Sequence, residues 1–332
     1  MVIIAFVKNR SMIGVLVEGG IMKRLRVVVS LITQDNDYQV EQAAAAEEAA
    51  RRLGVDVEIL YADADSIQQS QQILKNVQAA PEARPDGIIF EPVGGLALPQ
   101  VGRAAVSAGI SWVVLNREVE YVKQLRSAFK VPVFIVAVDN LEAGRLQGRQ
   151  MGTLLPNGGS VLYIQGPSDA DASKLRTAGM YETKPVNVQV KTMKGNWTEA
   201  SAFKAITAWL RLSTSQQSHI DVIVAQNDAM AAGAKKAFQQ FSYEGEGRDR
   251  WVNLPFLGVD GVPKTGQAWV RSSVLAATVV CPPLAGIAMD LLARALQTRV
   301  IPPETTLVTP HSFPEIGSLK AVKPSTQATS AR

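Results

Sequence analysis

Short apolar runs alternate with longer amphipathic stretches along almost the whole chain. Strands are expected over 55–61, 87–91, 111–115 and 133–138, and over 26–33 (RVVVSLIT), which is apolar nearly without a break. That is the pattern of strands in a parallel sheet covered on both faces. Between them, residues 39–53, 66–79 and 98–108 carry apolar side chains at helical spacing. Gly54 is placed to end the first helix as a C-cap. Ile67, Ile73, Leu74 and Val77 form the inner face of the second. The stretch from 116 to 132 reads as a polar connection. The rhythm then restarts, with strands expected over 160–165, 186–193, 221–225, 254–259 and 276–280. Helices are expected over 141–155, 173–181, 198–212, 229–241 and 284–296. Regular strand–helix alternation argues for parallel sheets with helices on both faces, so the fold class is α/β, built as two units in tandem. Trp112, inside a strand, and Trp209, in mid-helix, are read as core.

Polar clusters stand directly after several of these strands. Asn116-Arg117 follows WVVL, Asp139-Asn140 follows FIVAV, Gln226-Asn227-Asp228 follows DVIVA, and Asp260-Gly261 follows FLGV. In open parallel sheets, ligands sit outside the carboxyl ends of the strands. These clusters therefore predict one crevice lined by Arg, Asp and Asn, groups suited to the hydroxyls of a small polar ligand. Taken singly, Asp139-Asn140 and Asp260-Gly261 are equally well read as turn or N-cap residues.

Composition narrows the picture further. At 332 residues the chain is long enough for two domains. It is 47% hydrophobic and 19% charged, a globular balance. A net charge of +4 without a dense basic block implies no nucleic-acid or membrane partner. One cysteine, Cys281, excludes an intrachain disulfide. His219 and His311 have no neighbours at metal-ligand spacing, so no metal is expected. Gly261 to Gly266 has P-loop glycine spacing, but Gln267-Ala268 replaces the Lys-Ser/Thr that would hold phosphate. Gly94-Gly95 lacks the third glycine of a dinucleotide loop, and Gly166-Pro167-Ser168 lacks the closing glycine of a nucleophile elbow. No catalytic residue and no cofactor is assigned. No helix-turn-helix precedes the first strand. The apolar run at 2–7 (VIIAFV) is too short for a signal peptide, which needs roughly 7–15 apolar residues and a cleavage site. Residues 1–21 are expected to be an upstream extension, and residues 321–332 a disordered tail.

Six segments together resemble the type I periplasmic sugar-binding proteins of the ribose/galactose type. They are RPDGIIFEPV at 84–93, LNREV at 115–119, VAVDNLEAGRLQG at 136–148, IDVIVAQNDAMAAGAKKAF at 220–238, FLGVDGVPKTG at 256–266 and LAATVVCPP at 275–283. The resemblance covers roughly residues 25–320. It implies two Rossmann-like lobes joined by a hinge of three crossings, near 138–140, 281–283 and 309–311. The lobes would comprise 22–138 plus 283–309, and 139–282 plus 310–320. By the same resemblance the chain is a solute-binding protein, not an enzyme. It would close around a sugar or polyol as a monomer in the periplasm or cell envelope, and present it to the membrane permease of an ABC importer. The absence of a clear signal peptide keeps a cytoplasmic site open. The alternative is a ligand-sensing domain acting through a sensor kinase or another regulatory partner; lac-repressor-type regulators share this core but carry a DNA-binding head, which is absent here.

Carried over residue by residue, Arg117 looks like the family's sugar-clamping arginine, its planar guanidinium suited to adjacent hydroxyls. Asp139, Asn227 and Asp260 look like the facing acceptors and donors. Tyr38 and Trp197 are candidates for stacking on the apolar face of a sugar. Lys174 lies where ribose-type binders carry a second arginine, and Arg176 reads as structural. This chain also departs from the family in the loop Asp35-Asn36-Asp37, where Asn-Pro-Phe-Phe is common, and at Cys281, where a glutamine-type residue is usual. These departures imply a more acidic pocket and point away from ribose itself, leaving another sugar, a polyol or a small cationic ligand.

Overall fold

The computed structural model describes residues 24–94, 98–216, 218–242 and 251–322. The expected extension at 1–21, and the expected tail beyond Val322, lie outside the described residues. Strands β1 (Arg26–Leu31), β2 (Asp56–Tyr61), β3 (Gly87–Phe90), β4 (Ser111–Leu115) and β5 (Val133–Val138) form one sheet. Strands β6 (Gly159–Gln165), β7 (Val188–Lys194), β8 (Val222–Ala225), β9 (Phe256–Asp260) and β10 (Ala277–Val280) form a second. Two short late strands complete them. β11 (Thr305–Val308) adds parallel to β5, and β12 (His311–Phe313) adds antiparallel to β10. The orders are β11-β5-β4-β3-β1-β2 and β12-β10-β9-β8-β6-β7, the same path traced twice. The chain changes sheets after Val138, after Val280 and between Val308 and His311.

The inner strands of each sheet are covered on both faces, which is why they are apolar without alternation, whereas the edge strands β2 and β7 alternate and stay partly exposed. Val28, Ile88, Phe90, Trp112 and Val114 face one layer of helices; Val29, Leu31, Ile89, Val113 and Leu115 face the other. Trp112 is fully buried, as expected, and Trp209 packs edge-on against Trp251 and Phe238 in the second core. Gly54 ends the first helix (Asp37–Leu53) in the left-handed conformation, φ 68°.

Several elements differ from the sequence expectation. The polar connection after β4 contains a helix, Tyr121–Ala128, which buries only Val122 and Leu125 and so carries a weak apolar signal. Helix Gly266–Arg271 and both short late strands were likewise not expected from the pattern. Ile67 is 67% exposed rather than part of an inner face. The buried residue at that turn is Gln69, whose side-chain amide donates to the Glu91 carbonyl (2.8 Å) and accepts from Val93 N–H (3.0 Å). A polar side chain thus fixes the loop after β3, where burying an unpaired backbone group would be costly.

Helices Asn140–Leu154 and Asp171–Thr183 pack unusually closely. Gly144 lies against the Arg176 carbonyl, Gly148 against Thr183 and Met180, and Gly179 against the Leu141 carbonyl. No side chain fits at these positions, and the close approach brings Arg176 to the start of the opposing helix.

Candidate functional site

A cleft of about 410 Å3 opens between the carboxyl ends of the two sheets. From one side come the residues after β1, β3 and β4, including Glu91, Asn116 and Arg117; from the other come those after β6, β7, β8 and β9, including Trp197, Asn227 and Asp260. A volume in this range suits a small ligand, since such pockets run from about 300 to 1,000 Å3. A second hollow, about 590 Å3, lies beneath the second sheet beside Lys235 and the segment ending at Val322. It sits at the amino ends of β9 and β10, away from the strand ends where ligands of such sheets bind.

Of the residues singled out from sequence, Tyr38, Arg117, Trp197, Asn227 and Asp260 line the cleft together. Asp139 and Lys174 do not. Asp139 follows β5, which lies beside β11 at the crossing side of the sheet, and its carboxylate caps the next helix by accepting from Glu142 N–H (2.9 Å). Lys174 points to solvent and pairs with Asp171 at 3.4 Å. Arg176 occupies the cleft instead: residues two apart on a helix face nearly opposite directions, and the buried face of this helix runs through Ser173, Arg176 and Gly179.

Arg176 is 5% exposed and holds the site together. Its Nε donates to Asn140 Oδ1 (2.9 Å), its Nη1 donates to the Gln226 carbonyl (2.5 Å), and its Nη1 lies 3.7 Å from Asp260. The guanidinium also stands 5.7 Å from the Trp197 ring centre, within cation–π range. Sequence reading assigned Arg176 to structure alone; it is a structural residue that also forms the cleft wall. Arg117 bridges the cleft, 3.7 Å from Asp171 at the start of the facing helix. Thr265 bridges it a second time by donating to Asp37. The Tyr38 hydroxyl donates to the Pro282 carbonyl (3.2 Å) at a crossing.

The triplet Gln226-Asn227-Asp228 splits by function. Gln226 is fully buried and braces the second core: its amide donates to Tyr163, the Ser173 carbonyl and Thr177, and accepts from Gly166 N–H. Asn227 caps helix Asp228–Gln240 through Met230 N–H (2.9 Å), donates to the Trp197 carbonyl (2.9 Å) and lines the cleft. The N-cap reading and the cleft reading therefore hold at once. Asp228 turns inward, accepting from Gly261 N–H and the Thr278 hydroxyl, both at 2.7 Å. Gly258 and Gly266 crowd its carboxylate so closely that neither could carry a side chain.

Backbone strain concentrates at the same place. Asn116 (φ 59°), Trp197 (φ 61°) and Asp260 (φ 105°) are non-glycine residues at positive φ, and all three line the cleft. Such conformations cost about 1–3 kcal/mol each and persist where the surroundings over-determine them, most often at ligand sites. Glu91 is a cleft residue that sequence reading placed only as a strand end. Its carboxylate accepts from Gln39 Nε2 (2.8 Å) and Asn116 Nδ2 (3.1 Å). A charged residue closing a wholly apolar run was the available signal.

Burial governs the acids here. It raises Glu91 and Asp228, and it pushes Asp260 up to about 7 against the opposing pull of Arg176. Burial also pushes the Cys281 thiol up to about 12, which keeps it a neutral, unreactive core group. A carboxyl raised on folding holds its proton better in the native state, so the stability it contributes is complete at low pH and lost as pH rises toward 7. Relative to Asp260→Asn, the unliganded wild-type protein is expected to lose about 4 kcal/mol between pH 4 and pH 8, from a rise of 3.8 to about 7 at roughly 1.36 kcal/mol per unit. Urea unfolding of both proteins at several pH values measures this; a constant difference would contradict it.

Two α/β lobes enclosing a polar cleft define the class of bilobal ligand-binding proteins. The chain belongs to the periplasmic binding protein domain family, which it matches over residues 27–299. A protein of Rhizobium meliloti named for rhizopine binding is 30% identical over 219 residues, 63% of this chain and 66% of that relative. The ribose import binding protein of Bacillus subtilis is 26% identical over 266 residues, 80% of this chain and 78% of its own. Among solved structures, a periplasmic solute-binding protein of Actinobacillus succinogenes with bound D-allose superimposes with a TM-score of 0.74 at 21% identity, covering 87% of this chain and 97% of that one.

Proposed function

We propose that this protein is the solute-binding component of an ABC importer in the cell envelope, closing around one small polar ligand, a sugar or polyol. The observation that carries the reading is the convergence on one cleft of Arg117, Asn227 and Asp260, from the ends of strands in both sheets, and of Arg176 from the helix Asp171–Thr183. The family membership and the names of its relatives support it. The lobes are taken as 22–138 plus 283–309 and 139–282 plus 310–320, so that sheet changes coincide with the hinge. Closure buries the ligand, and differential contact with the closed form drives it. Arg117 and Arg176 supply fixed donor arrays, Asn227 and Asp260 complementary donors and acceptors, and Tyr38 and Trp197 apolar faces. Asp139 and Lys174 serve as a helix cap and a surface residue.

Calorimetric titration against a sugar and polyol panel tests the reading. At least one member is expected to bind, and Arg117→Ala to weaken it about 30-fold or more, the loss of charge-assisted bonds worth about 2 kcal/mol or more. Absence of binding across the panel, or an Arg117→Ala variant with unchanged affinity, would refute the site. Small-angle scattering should show a smaller radius of gyration on ligand addition, and osmotic shock of the native cell should release the protein.

A further inference from the structure

The charges lining the cleft are unbalanced. Arg117 lies 3.7 Å from Asp171 and Arg176 lies 3.7 Å from Asp260, so each guanidinium already faces a carboxylate. Three further acids line the cleft: Asp35 and Asp169 at the exposed rim, and Glu91 in its wall, 6% exposed. Among the described residues, none of the three has a basic side chain within ion-pair distance. The rim acids are solvated, but Glu91 has little water to compensate it.

Glu91 is nevertheless held as a hydrogen-bond acceptor. Gln39 uses its carbonyl oxygen to accept from Ile32 N–H (2.9 Å), which turns its NH2 toward Glu91 Oε2 (2.8 Å). Asn116 uses its oxygen to accept from Asn140 Nδ2 (3.5 Å), which turns its NH2 toward Glu91 Oε1 (3.1 Å). Each carboxylate oxygen therefore receives one neutral amide donor, and the Gln42 side chain is a third neutral amide beside the carboxyl. Arg176 acts on it only from beyond ion-pair distance, where it already faces Asp260; a buried carboxylate compensated chiefly by dipoles is costly. An ammonium, with three donors and a full positive charge, completes it; a hydroxyl brings only a dipole.

Resting on the solute-binding reading, we infer that the ligand is a polyhydroxylated primary amine, an amino sugar or aminocyclitol, whose ammonium docks on Glu91. Hydroxyls on the same ligand face Arg117, Arg176, Asn227 and Asp260. Glu91 is the residue that selects the amine over the neutral polyol.

Isothermal titration at neutral pH with matched pairs tests this: D-galactosamine against D-galactose, D-glucosamine against D-glucose, and an aminocyclitol against myo-inositol. At least one amine is expected to bind about tenfold or more tighter than its hydroxyl twin, the gain of a charge-assisted over a neutral bond. In Glu91→Gln the ratio is expected to shrink to within about threefold. Neutral twins bound as tightly as their amines, or more tightly, in every pair overturn the inference and leave the solute-binding reading standing. An amine preference that survives Glu91→Gln unchanged also overturns it. Should Glu91→Gln not fold, the wild-type pairs decide alone. Failure of every amine and every neutral compound to bind removes both readings together.

Discussion

Replacing Arg176 with leucine is expected to abolish measurable ligand binding and to destabilise the unliganded protein by about 3–5 kcal/mol, the cost of breaking a buried ion pair by removing one partner. The side chain satisfies Asn140, the Gln226 carbonyl and Asp260 at once. Its removal leaves Asn140 Oδ1 and the Gln226 carbonyl without their donor and Asp260 without its counter-charge, in a wall that already contains Glu91. Leucine restores the volume but none of the bonds, so the penalty is electrostatic rather than a cavity term. Arg176→Lys is expected to recover part of the stability and little of the binding, because one ammonium cannot span three diverging acceptors as a planar guanidinium does. Thermal unfolding and titration of both variants separate the two effects. An Arg176→Leu protein that melts and binds like the wild type would show that the guanidinium organises nothing.

Gly179→Ala is the second large effect. On propensity alone, alanine in a helix should help by about 1 kcal/mol. At this position its Cβ would overlap the Leu141 carbonyl oxygen and stand 2.8 Å from Arg145 N. Both atoms belong to a neighbouring helix backbone, which cannot rotate aside as a side-chain tip can. Overpacking of this kind typically costs 1–3 kcal/mol and occasionally more, so the clash is expected to win, with a net loss of about 2 kcal/mol. For a chain of 332 residues the melting temperature should fall by about 3 °C. The spread helices would also carry Arg176 away from Asn140, so ligand affinity should fall as well. A variant melting at or above the wild-type temperature would contradict the close packing.

Most of the fold was legible because its inner strands are buried on both faces and need no partner to declare themselves. β4 and β5 fall on the residues the apolar runs predict. What escaped was whatever makes its contacts at long range. TTLV at 305–308 is short and half exposed, and only its neighbour β5 makes it a strand. Tyr121–Ala128 buries too few side chains to stand out from a polar loop. The site was legible to the level of which strand ends carry it, but less so to the residue. Asp139 and Asn140 were indistinguishable in sequence, yet the first caps a helix and the second receives Arg176. Lys174 was chosen over Arg176 by position in a motif, when helical phase decides which of them reaches the cleft. Glu91 went unread because nothing in the chain shows that Gln39 and Asn116, 52 and 25 residues away, aim their amides at it.

The two late strands have a consequence for how the molecule can be divided. Thr305–Val308 finishes the edge of one sheet and His311–Phe313 the edge of the other, within a few residues of each other. A single cut near Arg299 would strip the border from both halves, baring the flanks of β5 and β10 to any stray strand. Neither half can then be produced as an autonomous fragment by simple truncation; each must be stitched from separate pieces of chain.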